Sequence, residues 1–393
     1  MIDGAMGQRG DRSVAIAWRI GITYMFWTSK ISSLLYGLNL DELRSRTTPA
    51  AHPFLDAAAE VFSQSPDSQI EHWAHAIADA SDRAVLNTIP LLSQSDRVVV
   101  SHLLSGASLT LENCQKLPTS SPVAPFPSTR ERGELQMLPE KLFWWLWRCL
   151  PQAICQHLGR EEAILLPASE TLPDASVWSH ASLAAAMAGA LVGKPQRGTI
   201  PNDKLSARGE SFLSCPHLAI FSFSPVQELI KASRKMRDFW AGSWILHYLS
   251  ARVCWKLAQK YGPDCLIYPS LYQQPSIDHW LLQKWPDFAP WVEEPNDRAL
   301  LTAGFPNVIV ALLPEGEVEA AMQTARQTLV SEEWLQNLGG QVYEQLKARR
   351  WVGKLTPDNS TWNGWLKHQW QIYWTALPLG SRKLEEALCN AIA

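Results

Sequence analysis

Between His217 and Ala348 the hydrophobic period of the sequence changes several times, and no other feature limits the possible folds as strongly. "HLAIFSF" (217–223) is a short apolar run of β type. It passes through Ser224-Pro225 into a long stretch with apolar residues three and four apart, which "YGP" at 261–263 ends. "CLIYPS" (265–270) and "NVIVALL" (307–313) read as two further strands, and 317–348 as further helix broken at Gly339-Gly340. Strand, helix, strand, strand, helix is most of a ferredoxin-like split βαβ unit. The expected class is α+β.

The pattern elsewhere is helical. "HPFLDAAAEVFSQ" and "IEHWAHAIADASDRAVL" carry the helical spacing, so residues 1–113 are expected to form a helical N-terminal region. Residues 114–135, rich in Pro, Ser and charge, read as an exposed linker. Residues 136–213 form a second helical block, ending in a polar loop between Lys194 and Ser211. The strand–helix unit is expected over 214–350, followed by a Trp-rich helical tail over 351–393.

With 393 residues, a net charge of -3 and 19% charged residues, the chain has no global basic field to draw in nucleic acid. Seven cysteines, with no CxxC pair among them, indicate neither a zinc site nor a dithiol motif. Free thiols in a reducing compartment are expected. The N-terminus lacks a secretory pattern, and the apolar run 181–193 is too short and Ala-rich to span a bilayer. A cytoplasmic protein without a membrane partner is expected. Most of the nineteen tryptophans are expected to pack cores and interfaces.

The junction "FSFSPVQELIKASRKMRDFWAGS" (221–243) has the grammar of a helix start. Ser224 would be the N-cap, Pro225 the first helical residue, and Gln227 the partner in a capping box. On one continuous helix Gln227, Lys231, Arg234 and Asp238 share a polar stripe, with Asp238 spaced to pair with Arg234. Leu229, Ser233, Met236, Trp240 and Trp244 face the core, and Arg237 lies at the edge of that apolar arc. The plain reading is a capped helix with a solvated face. The sharper one is an anion site, with the helix amides and the Ser222 and Ser224 hydroxyls around a phosphate. No Gly-rich loop or GK[ST] element supports it.

These residues resemble the N-terminal palm of the large subunit of type III-B CRISPR effector (Cmr) complexes. The resemblance rests on Pro225, Val226, Gln227, Ser233, Arg234, Lys235, Arg237, Asp238, Gly242 and Ser243. It continues through "YGPD" (261–264), Pro269, Gln274-Pro275 and "GFPNVIVALLP". Upstream, Pro173, Asp174, Trp178, His180 and Leu183 also match, and "ADASDR" (78–83) is weakly similar to the N-terminal domain.

The resemblance implies a ferredoxin-like palm of cyclase or polymerase type, preceded by an HD-like region that has degenerated here. It implies assembly with other Cmr subunits, and with guide RNA and target RNA through that complex. It also implies ATP with Mg²⁺ held by Ser222, Ser224, Val226 and Gln227, with Arg234 and Lys235 as candidates for charge neutralisation. On a continuous helix those two cations would lie about 15 Å from the cap.

Two departures bear on catalysis. Cyclase chemistry needs paired carboxylates for divalent ions, carried in the family as a GGDD hairpin; no GGDD occurs here. An HD nuclease needs a His-Asp dyad, and no such dipeptide occurs. His72, His75, Asp79 and Asp82 lie close in sequence, and His52 lies near Asp56, but scattered polar positions on a surface helix explain both groups. His180 and His247 are read as structural hydrogen-bonders. No catalytic residue and no tightly bound metal are expected. The expectation is a truncated or split large subunit, acting in assembly and nucleotide binding, with cyclase activity needing a separate GGDD-bearing palm chain. The alternatives are a scaffold docking through Trp280–Trp291 and Trp362–Trp374 without binding nucleotide, or an autonomous metal-dependent nuclease.

Overall fold

A computed structural model describes residues 24–36, 44, 47–63, 68–83, 97–101, 105–112, 137–159, 161–165, 168, 175–193 and 214–379. The linker read over 114–135 and the polar loop after Lys194 lie outside the described residues. The chain divides into two compact units. The first is Met1–Pro216 with Pro314–Gly316 and Leu379–Ala393; the second is His217–Leu313 with Glu317–Pro378.

The first unit is built on helices: α1 (His52–Ser63), α2 (Ser68–Arg83), α3 (Pro139–Arg148), α4 (Leu150–Leu158) and α5 (Val177–Val192). Helix α3 is apolar on nearly every side, and Leu142 to Leu146 are all buried. Phe54 of α1 stacks on Trp145 with ring centroids 4.6 Å apart, and Trp147 Nε1 donates to Ser182 Oγ of α5 at 2.9 Å. Lys30 is buried against the rings of Phe26, Trp27 and Phe143. A Cβ on Gly189 would meet its Cδ at 2.9 Å, so α5 needs glycine at this close approach.

The helical reading of 1–113 fails over its last part. β1 (Arg97–Ser101) and β2 (Ser108–Glu112) form an antiparallel hairpin, with Gly106 at φ 68 in the connection. Three successive valines, stiff at χ1, favour the pleated backbone, and "SLTLE" alternates as an opposing strand should.

In the second unit β3 (Pro216–Ser224) leads to α6 (Gln227–Lys231) and the long α7 (Met236–Tyr261). β4 (Leu266–Tyr268), α8 (Pro275–Lys284), α9 (Asp297–Leu300) and β5 (Val308–Pro314) follow. Next come α10 (Val318–Gln327), a π-helix (Thr328–Leu338), α11 (Gly339–Ala348), α12 (Ser360–Lys367) and β6 (Gln371–Pro378). The four strands make one sheet in the order β4-β5-β3-β6, in which β3 pairs β6 and β4 pairs β5 antiparallel. The class is α+β, as the sequence pattern implied.

Two readings are corrected here. The tail over 351–393 is not wholly helical: α12 is followed by β6, and the unit runs to Pro378. "QIYWTALP" is rich in aromatic and β-branched residues suited to a strand. Gly339-Gly340 does not break the helix either, since the backbone passes through Gly339 in αR conformation. Its missing side chain has another use: a Cβ there would meet Leu366 Cδ1 of α12 at 2.9 Å.

Burial alternates along β3. Ala219, Phe221 and Phe223 are fully buried, whereas Leu218, Ile220, Ser222 and Ser224 on the other face are half-buried. Helix α7 closes the core from Leu246 to Tyr261, with Leu249, Ala251, Val253, Leu257 and Ala258 fully buried.

Candidate nucleotide site at the end of β3

The strand β3 runs on to Ser224, so this residue is the strand's last rather than a helix cap. The Ser224–Pro225 peptide is cis, and Val226 occupies the cap position without a side-chain cap bond. The continuous helix expected from Pro225 is two pieces. Helix α6 ends at Lys231, and α7 starts afresh after Lys235, which is extended at φ -134, ψ 158. Residues 231, 232 and 234–240 are exposed, so no buried apolar face holds a helical ladder across the gap.

The break redistributes the predicted site residues. Met236 is 81% and Trp240 45% exposed, so the stripe assigned to the core faces solvent at its N-terminal end. Arg237 is exposed too, and its Nε approaches Asp238 Oδ1 at 3.7 Å; Asp238 therefore meets Arg237 rather than Arg234. An ion pair this exposed stabilises little. Lys231, Arg234, Lys235 and Arg237 all project from residues 231–240, exposed throughout but for Ser233, together with Met236, Phe239 and Trp240.

Ser222 and Ser224 share the sheet face that carries the half-buried residues of β3. Their register partners on β6 are Tyr373 and Gln371. The Tyr373 hydroxyl donates to Gln371 Oε1 at 2.9 Å, and Ser224 Oγ approaches the same oxygen at 3.5 Å. The result is a row of four small or planar hydrogen-bonding side chains, which sequence reading missed on the β6 side because it took 371–378 for helix.

Val226 lies elsewhere. It lines a cleft of about 280 Å³ with Ile230, Ser243, Leu246 and the loop 303–307. That loop is held on two sides. His247 Nδ1 accepts from the Gly304 and Phe305 amides at 2.9 and 3.0 Å, and Ser250 Oγ donates to the Pro306 carbonyl. Asn307 Nδ2 donates to the Phe223 carbonyl at 3.1 Å. Burial holds the His247 imidazole below its ordinary pKa, and a neutral ring is what a double acceptor requires. His247 is thus the structural hydrogen-bonder the sequence suggested, and it shapes a cleft wall that the sequence did not reveal. Val226 and the serines flank one strand end; Arg234 and Lys235 follow beyond α6, and Gln227 opens that helix.

The second polar cluster is structural. Glu333 of the π-helix accepts from Tyr248 at 2.7 Å, from Asn337 at 2.9 Å and from Arg252 Nε at 2.5 Å. Burial pushes the carboxyl up, but those bonds and the Arg252 charge bring it below its usual value. The Arg252 guanidinium lies over Trp280 at 4.7 Å, and Trp291 is buried. On the surface expected from Trp280 to Trp291, Trp280 and Trp285 are thus half-buried and Trp291 is buried, while Gln283, Lys284, Asp287 and Pro290 are exposed. Of the other expected surface, Trp365 and Trp374 are exposed and Trp370 is buried.

In the first unit, the histidines bond locally. His75 Nε2 meets the Ser33 carbonyl at 2.7 Å, its ring lies 5.5 Å from that of His180, and His180 Nε2 is 3.7 Å from Asp79. Arg44 stands between the other pair, bonding Asp56 while its carbonyl meets His52. Among the described residues no group of three or more His, Cys, Asp or Glu is arranged to hold a metal ion.

Comparison with known proteins bears on the same stretch. Residues 218–339 match the family model described as CRISPR-associated protein Cmr2, N-terminal. Over that stretch the chain is similar to Cmr2. The CRISPR system Cmr subunit Cmr2 of Pyrococcus furiosus is 29% identical over 159 residues, which are 40% of this chain and 14% of that protein. A chain in the apo-state structure of the type III-B Cmr-beta complex superposes with a TM-score of 0.52 at 14% identity. That match covers 89% of this chain and 37% of the other, and shows likeness of fold. The chain thus spans a minor part of the length of the proteins it resembles. The family match begins at Leu218 in β3 and takes in α6, α7 and the cleft.

Proposed function

We propose that the chain is a component of a type III-B, RNA-guided effector complex, and that its second unit is a ferredoxin-like palm that binds ATP with Mg²⁺. The observation that carries this reading is the coincidence of the Cmr2 N-terminal match with the β-α-β-β-α-β order of one antiparallel-paired sheet. In this reading the first unit is a degenerate HD-like region. Other Cmr subunits are its protein partners, and guide and target RNA are reached through the complex.

The nucleobase would enter the cleft beside Val226, whose volume suits one aromatic bicycle. The phosphates would lie toward Ser222 and Ser224, with Gln227 as a polar partner. A free helix N-terminus does not carry the site, because α6 is only one turn and a half long. The exposed cations Arg234 and Lys235 would meet the triphosphate charge, and Mg²⁺ would neutralise the remainder. Cyclic oligoadenylate synthesis would need a second, GGDD-bearing palm besides these residues, since no GGDD occurs among them. The exposed Trp365 and Trp374 favour a docking role beside nucleotide binding.

Calorimetric titration with ATP and Mg²⁺ tests the site. Saturable binding by the wild type, weakened about tenfold by Arg234→Glu and less by Ser224→Ala, is expected. Heat-silent titration at millimolar ATP would leave the scaffold reading in its place.

A further inference from the structure

β6 is an outer strand of its sheet, and among the described residues no strand pairs with its outward edge, which has a definite chemistry. The Leu379 amide donates to the Pro216 carbonyl, which places residues 371, 373, 375, 377 and 379 with their backbone groups toward β3. The N–H and C=O groups of Ile372, Trp374 and Ala376 then point away from the sheet. Pro378 shares that parity, where its missing N–H costs no bond. What an open edge of this kind accepts is another extended backbone.

Edges left open in solution are normally protected by a lysine, an inward charge or a bulge. "QIYWTALP" has no charged residue, and its pairing with β3 runs without a bulge. Tyr373, Trp374 and Leu377 are 59%, 49% and 60% exposed, so apolar surface flanks the edge on both faces. The strand is also self-complementary. In an antiparallel pair about a two-fold axis, the outward parity brings Trp374 opposite itself and Ile372 opposite Ala376. Tyr373 then faces Thr375, and Gln371 faces Leu377. No like charges oppose one another, and three hydrogen-bonded pairs form before Pro378 ends the ladder.

We infer that two copies of this chain associate through antiparallel β6–β6 pairing, joining two four-stranded sheets across a two-fold axis at Trp374. The pairing is isologous, so it closes at a dimer and does not propagate. It is independent of nucleotide binding.

Sedimentation velocity over a concentration series tests the pairing on the full chain, without nucleotide. The wild type is expected to shift from monomer to dimer with rising concentration. Ala376→Pro, which removes an outward amide, and Trp374→Lys, which sets like charges opposite each other, are each expected to weaken the dimer at least tenfold. A second readout does not depend on those variants folding well. Trp374→Cys, opposite its own copy at a Cα separation of about 5.5 Å, is expected to form a disulfide-linked dimer under oxidised glutathione. Leu377→Cys, opposite Gln371, is expected not to. The described native cysteines are buried, and wild-type protein under the same oxidant is the control. A wild type that stays monomeric at every concentration would overturn the proposal. So would a dimer that both β6 variants leave intact, or equal cross-linking at 374 and 377.

Discussion

The two ends of α7 have similar apolar content and opposite surroundings. From Leu246 to Tyr261 its apolar residues are buried, and its polar ones are tied to loop 303–307 and to the π-helix. From Met236 to Trp240 the same helix shows Met, Phe and Trp to solvent among cations. One end holds the unit together; the other is free to meet a ligand or partner. Apolar spacing along a helix says which residues share a face, not whether anything lies against that face.

The largest effect expected from breaking this contrast is at the buried end. Leu249→Ala should cost about 3 kcal/mol in chemical denaturation, since Leu249 is fully buried and its loss leaves a cavity. Next is the polar tie to the π-helix. Glu333→Gln removes the charge facing Arg252 but keeps the shape, and should cost about 2 kcal/mol with no change in ATP affinity.

A smaller effect should appear in the pH dependence. His247 has a lowered pKa when folded, so the unfolded chain binds the proton more readily and stability rises with pH. Its contribution is present above the ordinary histidine value of about 6.5 and is lost as pH falls below it toward the folded value. The difference in denaturation midpoint between wild type and His247→Gln, measured from pH 8 to 5, should therefore shrink on the acid side. At the exposed end, Trp240→Ala should change stability by less than about 0.5 kcal/mol. A loss there as large as that at Leu249 would erase the distinction between the two ends.

The sequence was most informative where burial imposes a period. β3 and β5 each bury apolar residues, and both were legible, as was the buried part of α7. β6 was not, because an edge strand exposed on both faces has no reason to alternate; Tyr373 and Trp374 are neighbours and both exposed. The gap between α6 and α7 was hidden for a related reason. Its polar residues fit a helix's outer face as well as they fit a loop, and only missing tertiary contact separates the two. The serines of the candidate site were found as sequence neighbours of the junction, but their β6 partners Gln371 and Tyr373 come from 147 and 151 residues further along the chain, by pairing alone. His247 showed the right chemistry in advance, while its loop partners depended on tertiary closure.

Hydrogen–deuterium exchange with and without ATP and Mg²⁺ reads both ends of α7 in one experiment. Protection on adding nucleotide is predicted for peptides covering 222–240, with those covering 246–261 already slow and unchanged. Unchanged exchange over 222–240 at saturating ATP, or protection confined to the first unit, would contradict the account.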